Sequence, residues 1–255
     1  MPAVGVALMT VLPYCGAAPL PGSLLGRFNL DPVLICVLVV AMAAHLWALR
    51  GRPQIRFAVA GWLTVAAALL SPLCALSVAL FSARIGQHML LLLVAAPLLA
   101  LALVPETPRA AAPVRLWFSG LLFLIALWFW HMPVPYQATF DSDTVYWLMH
   151  ITLFGSGVLV WRELLTPDRN TTGERLIVAA LTSMQMGLLG AVLTMAGHPL
   201  FIPHFLTTQV WGMTPLEDQQ LGGVLMWVPG IALFLWASLR GLWELRNRAD
   251  PMRNA

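Results

Sequence analysis

The sequence predicts an all-α polytopic membrane protein: a seven-transmembrane-helix bundle with its N-terminus outside and its C-terminus cytoplasmic. Three observations carry this. Hydrophobic residues make up 60% of the 255 positions and charged residues only 10%, with a mean hydropathy of +0.81, whereas a soluble domain is about a quarter charged. The apolar runs are long and continuous, unlike the short alternating strands of a membrane barrel, and lipid admits only helices or closed barrels. The basic residues alternate from loop to loop, as spanning helices require.

A spanning helix needs about 20 apolar residues. Seven segments reach or approach that length: 30–49, 57–80, 85–104, 114–130, 144–161, 176–196 and 222–239. Ser71-Pro72 predicts a kink near the end of the second. The chain has no internal repeat and reads as one bundle, 29–243, between an N-terminal tail, 1–28, and a short cytoplasmic tail, 244–255. The stretch 4–12 has the look of a signal-peptide core without a basic start, and is read as a short translocated tail in preference to a cleaved signal.

All fourteen basic residues are arginine. Arg50, Arg52 and Arg56 follow the first helix; Arg109 and Arg115 fall between the third and fourth; Arg162, Arg169 and Arg175 follow the fifth; Arg240, Arg246, Arg248 and Arg253 end the chain. The opposite side holds only Arg27 and Arg84, a bias of twelve to two. The positive-inside rule then fixes the orientation, and the net charge of +3 reports helix flanks rather than nucleic-acid binding. Of three cysteines, Cys15, Cys36 and Cys74, none forms a CxxC, so no disulfide framework is expected. Cys36 and Cys74 fall at similar depth and are read chiefly as buried thiols, with a redox pair or soft metal ligands as the alternative.

Five of the six histidines gather near the outer ends of the helices: His88, His131, His150, His198 and His204. Imidazole is the commonest protein metal ligand, and ionisable groups inside a membrane are functional candidates by default. His88 and His150 are the sharpest, each one to two turns inside a helix; each also has a plain packing reading. His45, near the inner end of the first helix, is read as a packing residue. Met89, Met132 and Met149 neighbour histidines, but adjacent helical positions diverge by about 100°, so they cannot readily share an ion with those neighbours. Met184 and Met195 share a face of the sixth helix and are read as core packing, with a copper path as the lesser alternative.

The run 216–230, Leu-Glu-Asp-Gln-Gln-Leu-Gly-Gly-Val-Leu-Met-Trp-Val-Pro-Gly, is the most distinctive. Acids suit a helix N-terminus, but capping alone does not account for the amides, the Gly-Gly pair and Pro229. At these residues the chain resembles the CtaG family of cytochrome c oxidase assembly factors, multi-span membrane proteins associated with copper delivery. Gln87-His88-Met89-Leu90-Leu91, Trp130-His131-Met132-Pro133 with Tyr136, the His150 helix and Gly197-His198-Pro199-Leu200-Phe201 carry the rest of the likeness. Family members often have a second histidine one turn before those matching His88 and His150; here these positions are Arg84 and Tyr146.

The resemblance implies a non-enzymatic assembly factor of a bacterial inner membrane. It would handle copper at the periplasmic face and meet haem-copper oxidase subunits or a copper chaperone. His88, His131 and His150, with His198 or His204, would be ligands; Asp141, Glu217, Asp218 and Gln219 would support the ligands or dock a partner. The competing readings are an intramembrane zinc hydrolase, a b-type cytochrome with His88 and His150 axial to haem, a copper permease, and a metal-free docking protein. No HExxH supports the hydrolase, and His45 alone stands in the inner half for a permease.

Overall fold

The computed structural model describes residues 12–104, 113–166 and 171–249. Their regular structure is helical: α1 Pro32–Ala48, α2 Ile55–Leu70, α3 Leu73–Ala79, α4 Phe81–Met89, a π-helical turn Leu90–Ala95, α5 Ala96–Leu103, α6 Pro113–Trp130, α7 Pro133–Asp141, α8 Asp143–Leu165, α9 Thr172–Met195 and α10 Pro215–Ala249. By length and hydropathy, five units can cross a membrane: Phe81–Leu103, Pro113–Trp130, Asp143–Leu165, Thr172–Met195 and Pro215–Leu239. The pair α2–α3, bent by 47°, makes a sixth if taken as one span, and the 17-residue α1 is apolar but short.

The ends of these helices follow from their sequences. Asp31 accepts the Val33 amide at 2.8 Å, and Pro32 supplies the preset φ of a first helical position. Ser71-Pro72 ends α2 where the kink was expected. Thr214 and Glu217 form a reciprocal box at the start of α10: the Glu217 amide donates to Thr214 Oγ1 (3.2 Å) and the Thr214 amide to Glu217 Oε2 (2.8 Å). α10 therefore begins seven residues before the predicted span and runs beyond it.

The structure departs from the sequence reading between the fourth and fifth predicted spans, where a further helix, α7, forms: Pro133 opens it, and Tyr136, Thr139 and Phe140 bury one face. The cysteines are a correction too: they are not all buried thiols. Cys15 and Cys74 form a disulfide with Cα atoms 5.5 Å apart, and Cys36 is exposed. The tail bends back at Gly16 (φ +83°), whose amide donates to Pro13 O at 2.7 Å, which carries Cys15 over the start of α3. The region read as a possible signal core lies almost wholly in residues 1–11, outside the described residues.

The bundle is held by close helix contacts rather than by water-driven burial, since lipid is as apolar as leucine. α10 packs along α9 and against α4, α8 lies against α5 and α6, and α2 against α5. Gly222 and Gly223 serve two partners: a Cβ on Gly222 would stand 2.5 Å from Phe81, and one on Gly223 would stand 2.3 Å from Thr194 Oγ1 and 2.7 Å from Gly190 O. The glycine pair lets α10 approach α4 and α9 at once. Leu121, Ile125, Leu181 and Leu188 face outward, as does Met184. Met195 is also on the outside, 79% exposed, so Met184 and Met195 are not core residues.

Replacing Gly223 by alanine is expected to cost about 1–3 kcal/mol, because the contact is with backbone and cannot yield without separating the helices. Gly155→Ala on α8, where a Cβ meets nothing within 4 Å, is expected to be neutral or slightly stabilising. Thermal unfolding in detergent compares the two; equal midpoints would contradict the packing described.

Candidate metal centre

Three elements converge at one end of the bundle. α4 brings in His88, α8 brings in His150, and the turn between α6 and α7 brings in His131. All three are buried, at 1%, 5% and 3% exposure. The His88 ring centre lies 5.6 Å from that of His131 and 5.6 Å from that of His150.

Hydrogen bonding sets the tautomers. His131 Nδ1 is 2.6 Å from Leu127 O, and His150 Nδ1 is 3.0 Å from Tyr146 O. A carbonyl can only accept, so in each ring Nδ1 carries the proton, and in the neutral ring Nε2 then presents a lone pair. Neither Nε2 has a hydrogen-bond partner, nor does either nitrogen of His88. Buried polar atoms are normally paired. The crevice lined by His88, Leu91, Leu92, His150, Leu153 and Phe154 has no room for a water molecule that could pair them. Neutral imidazoles locked at Nδ1, with Nε2 free, are the form in which histidine takes a metal.

The fit to an ion is close in spacing and incomplete in alignment. An ion about 2.0 Å from each nitrogen places two ligand ring centres about 5 Å apart. The rings here meet at 81° and 76°. Among the described residues, no three His, Cys, Asp or Glu side chains already stand as a coordinating group.

The segment beneath His88 is built around a proline. Pro97 has no amide to give, and in the π turn before it the Ala96 amide already reaches Leu91 O. The carbonyl next in line is Leu92 O, and the Trp161 indole donates to it at 2.8 Å. The π turn thus absorbs Pro97 and ties α8 to the span that carries His88. Pro97 was the available signal for it.

Arg84, one turn before His88, is fully buried. Its Nη1 donates to Thr139 Oγ1 at 2.7 Å, and Nε and Nη2 have no partner. The guanidinium lies 4.2 Å from the Phe140 ring centre, 5.2 Å from Tyr136 and 5.6 Å from Tyr146. The two positions where the resemblance leads one to expect a second histidine therefore touch each other: a cation stands at one and an aromatic face at the other.

The other sequence-predicted residues lie apart from this cluster. His204 is buried against Phe81 and Phe140, with Nε2 2.7 Å from the Tyr136 hydroxyl. His198 is exposed. Asp218 does not reach a histidine; it accepts the Phe81 and Ser82 amides at 2.6 and 3.0 Å, capping α4 from α10. Gln219 accepts from the Leu200 amide at 2.7 Å and donates to Leu193 O at 3.2 Å. Glu217 caps its own helix, and Asp141 is exposed beside Gln137. His45 accepts from the Trp62 indole at 3.1 Å, joining α1 to α2, as a packing role requires.

The profile of the cytochrome c oxidase caa3 assembly factors (Caa3_CtaG) matches residues 33–248. The chain belongs to this family. The match spans every element from α1 to α10 and leaves the Cys15 tail outside it. No curated protein and no solved structure matches the chain. Membership makes the protein one of a family of oxidase assembly factors, in agreement with the resemblance of its motifs; it does not by itself assign a metal to the histidines.

Burial pushes the His204 pKa from 6.5 down to about 3, with the charge of Arg84 adding to the effect. Between those values the unfolded chain binds more protons than the fold, so stability is constant above about pH 6.5 and falls as the pH drops below it. The loss is expected to reach about 2 kcal/mol by pH 5. His204→Gln, which can still bond Tyr136, should remove that part of the slope. Thermal midpoints of both proteins from pH 5 to 8 measure it; parallel curves would refute the assignment.

Proposed function

We propose that this oxidase assembly factor carries copper, held as cargo by His88, His131 and His150. The observation that supports the reading best is the set of buried imidazoles with unpartnered nitrogens whose rings three elements bring to centre spacings of 5.6 Å. The charge of the pocket favours Cu(I). Three neutral imidazoles beside a fixed arginine cation accept one positive charge more readily than two. His204 contacts Phe81, Tyr136 and Phe140 rather than these three rings, and His198 is exposed, so neither is included in the set.

We place the histidine end at the periplasmic face of the bacterial inner membrane, with seven spans and the C-terminus in the cytoplasm. The arginine bias of twelve to two supports this orientation. So does the Cys15–Cys74 disulfide at the same end, because disulfides persist in oxidising compartments. α1, at 17 residues and about 1.5 Å per residue, falls somewhat short of a full span, and its flanking Asp31 and Arg50 extend it toward both interfaces. Partners would be oxidase subunits or a copper donor on that side, and the protein would act by binding rather than by catalysis. Of the carboxylates that a zinc hydrolase could use as general base, Glu217 is committed to the cap of α10, and Asp143 lies exposed in the first turn of α8.

Purified protein loaded with Cu(I) should retain about one copper per chain at this site, and His88→Ala/His150→Ala should lose it, as read by metal analysis after gel filtration. Equal copper in both would refute the site. A second expectation concerns Arg84. Arg84→His places an imidazole one turn from His88 and removes the opposing charge. Cu(I) affinity in a competition titration should rise at least tenfold, and an unchanged or weaker affinity would show that Arg84 does not limit the site.

A further inference from the structure

The disulfide lies against the histidine cluster with one residue between them. The Tyr146 hydroxyl is 3.4 Å from Cys15 Sγ and 3.9 Å from Cys74 Sγ. The Tyr146 ring centre is 4.3 Å from that of His150, and its carbonyl accepts from His150 Nδ1. A single side chain therefore separates two sulfurs from the nearest free imidazole.

The tail that carries Cys15 is not held by the disulfide alone. Tyr14 stacks on Tyr146, with ring centres 4.9 Å apart, and meets Trp147 edge-on at 5.0 Å. The Tyr14 hydroxyl donates to the Asp31 carboxylate. Arg27 Nη2 donates to Ala17 O at 2.9 Å, and the Asn29 side-chain Nδ2 donates to Leu69 O at 3.3 Å. Broken as a disulfide, the two sulfurs would remain neighbours. Donors already point at them: the Asn29 side-chain amide lies 3.6 Å from Cys74 Sγ, and the Tyr146 hydroxyl is shared. Hydrogen bonds of this kind stabilise thiolate over thiol.

We propose that Cys15 and Cys74 are a redox-active pair whose reduced form is a second Cu(I) site, next to the histidines. Cys74 is 1% exposed and Cys15 is only partly buried, so exchange starts at Cys15. The thiolate of an external dithiol protein attacks Cys15 Sγ, the Cys15–Cys74 bond breaks, and Cys74 leaves as a thiolate. The second thiolate of the reductant then attacks the mixed disulfide and releases Cys15. Two electrons have moved, and the reductant ends as a disulfide. Cu(I) then bonds to both sulfurs, displacing any proton still on them, and its oxidation state does not change. Soft thiolates select Cu(I), whereas the oxidised pair has no thiolate to offer. Redox state would thus set whether copper can enter beside His150.

The proposal takes its purpose from the copper reading above, but the experiment separates the two. Full-length protein in detergent is prepared air-oxidised or reduced with a phosphine that is then removed without oxygen. Each form is titrated with Cu(I) against a chromophoric chelator. Reduced wild type should bind one Cu(I) per chain more than oxidised wild type. Reduced His88→Ala/His150→Ala should keep one, with sulfur in the X-ray absorption first shell, and Cys15→Ser/Cys74→Ser should bind the same in both conditions. Equal stoichiometry in oxidised and reduced wild type would overturn the proposal, as would a disulfide that resists the phosphine. That comparison needs no variant, so it decides even if the double serine protein fails to fold. Loss of copper from the oxidised form alone would count against the histidine site and leave the sulfur site standing.

Discussion

The first turn of α4 begins inside the protein, and its amides need acceptors that neither water nor a preceding helix supplies. The chain arrives extended at Leu80, so Phe81 and Ser82 present unpaired N–H groups in a buried position. Asp218 reaches across from α10 and accepts both. An unsatisfied amide at this depth costs several kcal/mol, which makes this carboxylate the anchor of α4. The direction in which α4 leaves that anchor places Arg84 and His88 on the face toward α7 and α8. Gly222, four residues after Asp218, then lets Phe81 and Ile85 lie against α10 without a Cβ between them.

The lower half of the same span is governed by a second exchange of backbone partners. Pro97 interrupts the ladder, the π turn shifts the register, and Trp161 supplies the donor that Leu92 lacks. The two ends of Phe81–Leu103 are therefore tied to different neighbours, the upper to α10 and the lower to α8. His150 is on α8, eleven residues before Trp161, close to three turns and so on the same face. The spacing of His88 and His150 is set by this bond and by the packing above it, not by a contact between the histidines.

How much of this could be read from the chain differs by residue. Helix positions were legible because lipid demands long apolar runs, and the level of His88, His131 and His150 followed from their distance to helix ends. Asp218 and Gln219 looked like partners for imidazoles because acids at a helix start near histidines suggest a metal's surroundings. Their true partners, the amides of Phe81, Ser82 and Leu200, lie over a hundred residues away in one case and nineteen in the other. Backbone amides leave no mark in a sequence. The disulfide was hidden for a related reason: its cysteines are separated by 59 residues and have no motif. Met184 and Met195 misled because a shared helical face has the same period whether it meets protein or lipid.

Arg84 and Tyr146 stand where the resemblance leads one to expect histidines, and they read differently once the side chains are in place. Taken singly, each is an imidazole fewer. Together they form a contact, with the guanidinium on the tyrosine face at 5.6 Å and the same tyrosine touching both cysteine sulfurs. A buried cation without a carboxylate is costly; aromatic faces and the Thr139 hydroxyl offset part of that cost here. The Tyr146 hydroxyl, on the same side chain, faces the two sulfurs. Tyr146 thus meets, through its face, its carbonyl and its hydroxyl, a cation from α4, the imidazole of His150 and the two sulfurs that tie down the N-terminal tail.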